Sequence, residues 1–188
     1  MPHPSNFHSA AELLKIILEG TLPADAQMDR YFRARREMGV RDRGFVAETV
    51  YGCLREKRML EHLGVTDMTG PAGKVASSFD LVAAYLVTHG YSGRALEELG
   101  YRGDARQLAE RVRGLDQATV PFAVRANLPD WLAERLLTQF TETEALALVQ
   151  ALNQPATLDL RVNTFKAERA EVQALLTQEG VAVEPTPY

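Results

Sequence analysis

Residues 41–63 read RDRGFVAETVYGCLREKRMLEHL, and this stretch decides the fold. Wound at about 100° per residue, it places an apolar stripe on one side of a helix and a charged stripe on the other. The first stripe contains Val46, Val50, Cys53, Leu54 and Leu60, and the second contains Arg41, Glu48, Tyr51, Arg55, Arg58 and His62. Asp42 suits the N-cap position and Gly64 suits the end. The stretch therefore predicts one long helix at the centre of a bundle, with several arginines facing outward.

Composition limits the class of protein. With 188 residues and 46% hydrophobic residues, the chain is typical of a globular protein of one or two domains. No apolar run approaches the ~18 residues that span a bilayer, and the first nine residues lack the order of a signal peptide. We therefore expect a cytoplasmic protein without a membrane partner. The single cysteine excludes an internal disulfide, and the four histidines have no metal-ligand spacing, so no metal is expected.

Charge is distributed unevenly along the chain. The net charge of −4 alone argues against a nucleic-acid partner. Between Asp29 and His62, however, nine basic residues accompany six acidic ones, whereas the remainder has twelve basic and nineteen acidic residues. One basic region on an acidic protein is typical of local anion binding. The alternative is an ordinary solvated helix face.

Helical periodicity extends on both sides of the central stretch. A first helix is predicted to open at Ser9, and a second to run from Pro23 to about Met38. Thr66 to Gly73 is rich in Gly, Pro and Thr and is predicted to be a loop. Lys74 to His89 is predicted to be a further helix.

The pattern changes after Leu128. Two more helices are predicted first, and then residues 158–162 read LDLRV, which partly alternates and predicts a strand. An amphipathic helix over 166–179 and a short strand over 181–184 follow. The order strand, helix, strand indicates an α+β unit. Because two short strands do not make a stable sheet alone, they either pack on the bundle or pair with strands outside this chain.

A series of short motifs carries a family resemblance. The later motifs are Leu128-Pro-Asp-Trp131-Leu, Glu144-Ala, Ala151-Leu-Asn153, Leu158-Asp-Leu-Arg161-Val-Asn163-Thr, Gly180 and Pro185-Thr-Pro-Tyr188. In this order they resemble the region ahead of the catalytic domain in Sun/Fmu-type (RsmB-like) RNA cytosine-5 methyltransferases. Upstream, Asp42-Arg-Gly-Phe45 and the residues from Glu48 to Arg55 resemble the NusB-like helical domain of the same family. The resemblance covers nearly the whole chain.

The resemblance implies a fold and an activity. The fold would be mainly α, with a NusB-like helical RNA-binding domain at 1–127. Residues 128–188 would begin a pre-catalytic linker and a partial α+β, ferredoxin- or RRM-like, domain. The parent enzyme would transfer a methyl group from S-adenosylmethionine to carbon 5 of a cytosine in small-subunit ribosomal RNA.

The chemistry of that reaction requires a cysteine. Carbon 5 of cytosine becomes nucleophilic only after a thiolate adds at carbon 6. The family places its two cysteines in Pro-Cys and Thr-Cys contexts beside a glycine-rich cofactor loop, and none of these is present here. Cys53 lies in Tyr-Gly-Cys-Leu-Arg on an apolar helix side, which favours a core position. We therefore expect a catalytically silent, truncated chain that binds no S-adenosylmethionine itself.

Arginines supply the candidate RNA contacts, through salt-sensitive binding to phosphates. The candidates are Arg30, Arg33, Arg35, Arg36, Arg41, Arg43, Arg55, Arg58, Arg161 and Asn163. The last two belong to the family-like strand motif, although Asn163 also suits a turn or a helix cap. Tyr31 and Phe32 are expected to pack in the core, and Trp131 is expected to anchor a domain interface.

Two other functions remain open on the sequence. One is a free-standing NusB-like antitermination or RNA–protein adaptor module, and the other is a helical interaction scaffold without an RNA role. The segment after Leu128 discriminates the adaptor from the methyltransferase, because an adaptor has no need of the Leu-Pro-Asp-Trp-Leu motif or of the strand–helix–strand tail.

Overall fold

The computed structural model describes residues 2–64, 76–154 and 158–186. Contacts group the chain into two compact units, Met1–Asn153 and Gln154–Tyr188. The described part is mainly helical, which confirms that part of the prediction. The loop predicted over Thr66–Gly73 lies outside the described residues.

Ten α-helices are described in the first unit. They are α1 (Pro4–Glu19), α2 (Ala24–Ala34), α3 (Val40–Arg55), α4 (Lys57–Gly64), α5 (Ser78–Thr88), α6 (Gly93–Glu98), α7 (Ala105–Arg113), α8 (Phe122–Arg125), α9 (Asp130–Leu137) and α10 (Glu142–Leu152). A single 3-10 turn, Gln117–Thr119, precedes α8.

The main core lies where α1, α3 and α5 meet. Helix α1 packs on α2, α3 and α5, and α5 packs in turn on α3, α4, α6 and α7. The side chains at this centre are almost fully buried, and they include Phe7, Leu14, Val46, Val50, Leu60 and Val82. Burial of such side chains is the dominant favourable contribution to folding. The apolar stripe of residues 41–63 is therefore in the core, as predicted.

The predicted single helix over residues 41–63 is wrong in one respect. It is broken at Glu56 (φ −102°, ψ 12°) into α3 and α4. One continuous helix would have carried Lys57 within the apolar stripe. After the break, the Lys57 side chain is 41% exposed and forms an ion pair of 2.5 Å with Glu61. The break thus keeps an ammonium group in contact with water.

Two other helix ends differ from prediction. Helix α1 begins at Pro4 rather than Ser9, because proline suits the first turn and the His3 ring accepts a hydrogen bond from the amide of Ser5 at 3.3 Å. Helix α2 ends at Ala34 rather than near Met38.

A second hydrophobic cluster joins α8, α9 and α10. It is built on the buried Phe122, Ala126, Ala133, Ala145 and Val149. A capping box starts α10, since Thr141 and Glu144 exchange side-chain and backbone hydrogen bonds. These helices belong to the same compact unit as the main core. The domain boundary at residue 127 follows from the family resemblance and stays a prediction.

The second unit contains one described helix, α11 (Arg169–Gln178). Gly180, with φ +81°, follows it, as predicted for a helix end. No strand is present between residues 158 and 186, so the strands predicted at 158–162 and 181–184 are not shown. Strand structure depends on backbone partners, and two short strands do not form a stable sheet alone.

Candidate nucleic-acid interface

Arg35 lies in a network between α1 and α2. Its guanidinium stacks over the Tyr31 ring at 3.7 Å from the ring centre and donates to both carboxylate oxygens of Glu12 at 2.9 Å. The Tyr31 hydroxyl also donates to Glu12, at 2.8 Å. Burial raises the pKa of Tyr31, so its hydroxyl keeps its proton at neutral pH. Arg35 thus has a structural role in holding α2 on α1.

Arg43 holds the connection between α2 and α3. Its Nε donates to the carbonyl of Met38 at 2.9 Å, and its Nη2 donates to the carbonyl of Arg35 at 3.3 Å. These bonds satisfy carbonyl groups that follow the end of α2. Arg33, in contrast, is on the surface and forms an ion pair of 2.5 Å with Asp29.

Arg58 joins α4 to the connection between α8 and α9. Its guanidinium donates to the Asp130 carboxylate at 2.7 Å and to the carbonyl of Leu128. Beside it, the side-chain oxygen of Asn127 accepts from the amide of Met59 at 2.9 Å, which caps the first turn of α4. We call these two contacts the Arg58–Asn127 clasp.

Sequence reasoning missed the structural role of Asn127. This residue has φ +52°, a left-handed conformation that asparagine tolerates better than most residues. An asparagine directly before a Leu-Pro pair, between two helices, is the one signal that indicated a turn here.

Four candidate arginines remain available for a ligand. Arg30, Arg36, Arg41 and Arg55 are exposed, and no hydrogen bond or ion pair of their side chains is found within the described residues. Arg41 and Arg55 lie on the same side of α3, about 21 Å apart at 1.5 Å per residue. Glu48 lies between them on that side. Their guanidinium groups can bind anions without breaking a contact of the fold.

The two remaining candidates are in the second unit. Arg161 is exposed. The Asn163 side-chain oxygen accepts from the amide of Phe165 at 3.1 Å, and its carbonyl accepts from the amide of Lys166 at 2.9 Å. Asn163 therefore forms a local turn.

Cys53 is a core residue, as predicted. It is 1% exposed, and its Sγ donates to the carbonyl of Leu81 at 3.8 Å. Burial raises the pKa of the Cys53 thiol well above its usual range. The sulfur is therefore a protonated thiol at neutral pH and is unsuited to nucleophilic attack.

Metal-ligand clusters and glycine-rich loops are the features by which a metal or a nucleotide cofactor would be recognised. No group of three His, Cys, Asp or Glu side chains among them is arranged to hold a metal ion. No two of the 13 glycines are separated by a single residue, so the glycine-rich loop that would cradle S-adenosylmethionine is not in this sequence. Among the helices described, none has the length and apolar character needed to cross a membrane.

Comparison with known families identifies the class of domain. Residues 128–188 match the family described as the ferredoxin-like domain of RsmF/B-like methyltransferases. This match covers the second unit together with α9 and α10.

Comparison with individual proteins gives two relatives. The chain is 31% identical over 172 residues to the ribosomal RNA small subunit methyltransferase B of Vibrio cholerae, covering 81% of this chain and 39% of that protein. It is 25% identical over 182 residues to the probable ribosomal RNA small subunit methyltransferase B of Synechocystis, covering 82% of this chain and 40% of that protein. No solved structure matches the chain. The resemblance to the RsmB-like methyltransferase family is confirmed, and the chain spans about two fifths of the length of these relatives.

Proposed function

We propose that the chain is the RNA-recognition part of an enzyme that uses S-adenosylmethionine to methylate carbon 5 of a cytosine in small-subunit ribosomal RNA. The observation that carries this proposal is the match of residues 128–188 to the ferredoxin-like domain of RsmF/B-like methyltransferases, together with relatives named ribosomal RNA small subunit methyltransferase B. The protein would act in the cytoplasm, where that RNA is made and modified.

The roles proposed for the two segments of the chain follow the family resemblance. Residues 1–127 form a NusB-like RNA-binding domain, and residues 128–188 begin the pre-catalytic α+β domain. Within it, residues 158–162 and 181–184 supply strands of a ferredoxin-like sheet on either side of α11. The contact of Arg169 with the carbonyl of Thr186, at 3.4 Å, supports this arrangement because it brings the segment after α11 back beside the start of the helix.

The proposed RNA contacts divide into two classes. Arg30, Arg36, Arg41 and Arg55 bind phosphates directly, and Arg161 contributes from the second unit. Arg35, Arg43 and Arg58 act through the fold because their guanidinium groups are already held by protein acceptors. Binding of this kind is independent of sequence and weakens with salt.

Catalysis is assigned to a part of the enzyme outside these residues. Attack on carbon 6 of cytosine needs a thiolate, and the buried Cys53 thiol has a raised pKa. The free-standing adaptor is disfavoured by the match of residues 128–188, which such a protein would not need.

RNA binding tests the proposal. The variant Arg30→Ala/Arg36→Ala/Arg41→Ala/Arg55→Ala should bind small-subunit ribosomal RNA fragments at least tenfold more weakly than the unaltered chain at low salt. The slope of log affinity against log salt should also fall by about 0.7 for each lost phosphate contact to single-stranded RNA. Fluorescence anisotropy at several salt concentrations measures both quantities.

A matched variant controls for lost positive charge. The control Lys15→Ala/Arg102→Ala/Arg135→Ala/Lys166→Ala removes the same four charges from exposed side chains. This quadruple variant should bind nearly as well as the unaltered chain. Equal loss in both variants would show that net charge alone drives binding and would remove the α2–α3 surface from the proposal.

A further inference from the structure

An open groove lies between α6 and α7, and none of Arg30, Arg36, Arg41 and Arg55 lines it. It is lined by Gly93, Arg94, Glu97, Arg106, Ala109 and Arg113. Half of these residues are arginines, and Glu97 is the one acidic residue of the lining. Helices α6 and α7 pack on each other and on α5, whereas α2 packs on α1. The groove thus brings guanidinium groups from two helices to one opening.

Backbone contacts set the width of this groove. A Cβ atom on Gly93 would lie 2.9 Å from the carbonyl oxygen of Ala105, so only glycine allows this close approach of the two helices. The first turns of α6 and α7 are both capped by side chains. Ser92 accepts a hydrogen bond from the amide of Ala95 at 3.2 Å, and Asp104 accepts one from the amide of Gln107 at 2.8 Å. The spacing of the arginines therefore does not depend on ion pairs across the groove.

The arginines retain free donors. The Nε of Arg94 is 3.1 Å from Glu98, and the Nε of Arg106 is 2.9 Å from Glu110. Each pair lies along a single helix, and both arginine side chains are 87% exposed. Exposed pairs of this type contribute little free energy, so a phosphate competes with them readily. Among the described residues no partner of the Nη atoms is found, which leaves the fork of each guanidinium for a ligand.

The third arginine completes the lining from the end of α7. The Nε of Arg113 donates to the carbonyl of Ala109 at 3.2 Å, within its own helix. This bond fixes the Nε atom of Arg113 and leaves its two Nη atoms free for a ligand. Arg106 and Arg113 are seven residues apart, which places them on the same side of α7, two turns apart.

We propose that this groove binds phosphate groups of an RNA strand, as a second contact distinct from Arg30, Arg36, Arg41 and Arg55. The inference rests on the proposed function, in which the chain recognises RNA. The groove holds about 280 Å³, at the lower limit of small-molecule pockets, which begin near ~300 Å³, and it is open to solvent. Its lining is arginine rather than apolar, so a backbone phosphate fits it better than an enclosed metabolite.

A triple substitution tests the groove in the full chain. Arg94→Gln/Arg106→Gln/Arg113→Gln should weaken binding of a labelled single-stranded fragment of small-subunit ribosomal RNA at least tenfold at low salt. The slope of log affinity against log salt should fall by about 2, at roughly 0.7 per phosphate contact. The control Lys15→Gln/Arg102→Gln/Arg135→Gln removes the same charge from exposed positions outside the groove and should change affinity less than threefold.

The outcomes separate this inference from the proposed function. If the groove variant binds RNA like its control while the variant of Arg30, Arg36, Arg41 and Arg55 loses binding, the groove is not a site and the proposed function stands. If the unaltered chain does not bind the RNA, the proposed function fails and the groove proposal fails with it. If polyglutamate competes with the RNA for the groove as strongly as unlabelled RNA does, an acidic protein is the better partner and the inference is overturned.

A second measurement does not depend on how the variant folds. The Nε–H NMR signals of Arg94, Arg106 and Arg113 in the unaltered chain should shift on addition of the RNA fragment, and the shifts should disappear in high salt. Signals that stay unmoved at saturating RNA would contradict the proposal.

Discussion

Two glycines in α3 differ sharply in their surroundings. A Cβ atom on Gly52 would lie 2.2 Å from the ring of Tyr85, so α3 and α5 approach each other through the space that glycine leaves. A Cβ atom on Gly44 would meet nothing within 4 Å. Both residues lie in the helix, where glycine costs about 0.5–1 kcal/mol relative to alanine.

Substitution with alanine should therefore have opposite effects at these positions. Gly52→Ala should lower the free energy of unfolding by about 1–3 kcal/mol, because the methyl group displaces the Tyr85 ring from a packed interface. Gly44→Ala should raise it by about 0.5–1 kcal/mol. Urea unfolding followed by circular dichroism measures both. Stabilisation by both substitutions would show that Tyr85 moves away at no cost.

Single residues also show the limit of prediction from sequence. The core position of Cys53 could be predicted because its neighbours on the helix are apolar. The structural roles of Arg35 and Arg58 could not, because their carboxylate partners are 23 and 72 residues away in the chain. An arginine that pairs with a distant acid has the same local pattern as one that faces solvent.

At the scale of elements, the break between α3 and α4 places a carboxyl group in a half-buried position. Glu56 lies at the break, and its Oε1 is 3.5 Å from the Nε2 of His89 at the end of α5. The Tyr85 ring stacks on that of His89 with the ring centres 4.0 Å apart. Burial raises the pKa of Glu56, while the charges of His89 and Arg55 act in the opposite direction.

The raised pKa predicts how stability depends on pH. The folded chain binds the Glu56 proton more tightly than the unfolded chain, so this group contributes stability at low pH that is lost as pH rises through its folded pKa. The stability of the unaltered chain relative to Glu56→Gln should therefore fall as pH increases from about 4.5. Unfolding in urea at a series of pH values measures the difference.

Glu144 offers a control of opposite sign. Hydrogen bonds from the side chain and the backbone of Thr141 lower the pKa of Glu144. Its contribution is present above the unfolded pKa and is lost as pH falls through the lowered folded pKa. Relative to Glu144→Gln, the unaltered chain should gain stability with rising pH. The same trend in both variants would show that the environment of Glu56 is not responsible.

The break itself was hidden from sequence reasoning. The apolar periodicity continues across Glu56 without a change of phase, since Val46, Val50 and Leu60 all enter the core. Lys57 within the stripe is the one local sign of a break, and a lysine whose stem packs while its ammonium group reaches water fits a continuous helix equally well. Helix ends that depend on side-chain donors from other segments, such as the end of α2 beside Arg43, are not visible in the local pattern either.

At the scale of the whole molecule, the two compact units differ in how much they bury. The first contains two hydrophobic clusters, whereas α11 in the second has no buried residue. Its leucine and valine side chains include Leu175, which is 58% exposed. A short helix without tertiary packing is marginally stable in water.

Hydrogen exchange should reveal this difference. Backbone amides of α11 should exchange with free energies of opening near zero, while those of α5 should approach the free energy of global unfolding. Exchange followed by mass spectrometry or NMR at neutral pH measures both. Protection of α11 equal to that of α5 would indicate that its apolar side chains are covered in solution.

The mainly helical architecture and the family resemblance could be predicted because they depend on local periodicity and on short motifs. The pairing of residues 158–162 and 181–184 could not be settled in this way. A strand forms hydrogen bonds to neighbouring strands. The alternation of apolar and polar residues does not specify which segments those neighbouring strands are.

The Arg58–Asn127 clasp links α4, which packs in the main core, to the connection between α8 and α9. Opening α8, α9 and α10 would leave the first turn of α4 uncapped and the Arg58 guanidinium without its carboxylate, only three residues beyond the exposed Arg55. The two hydrophobic clusters are thus expected to melt in a single thermal transition. These helices would in that way hold the proposed phosphate-binding residue Arg55 in place.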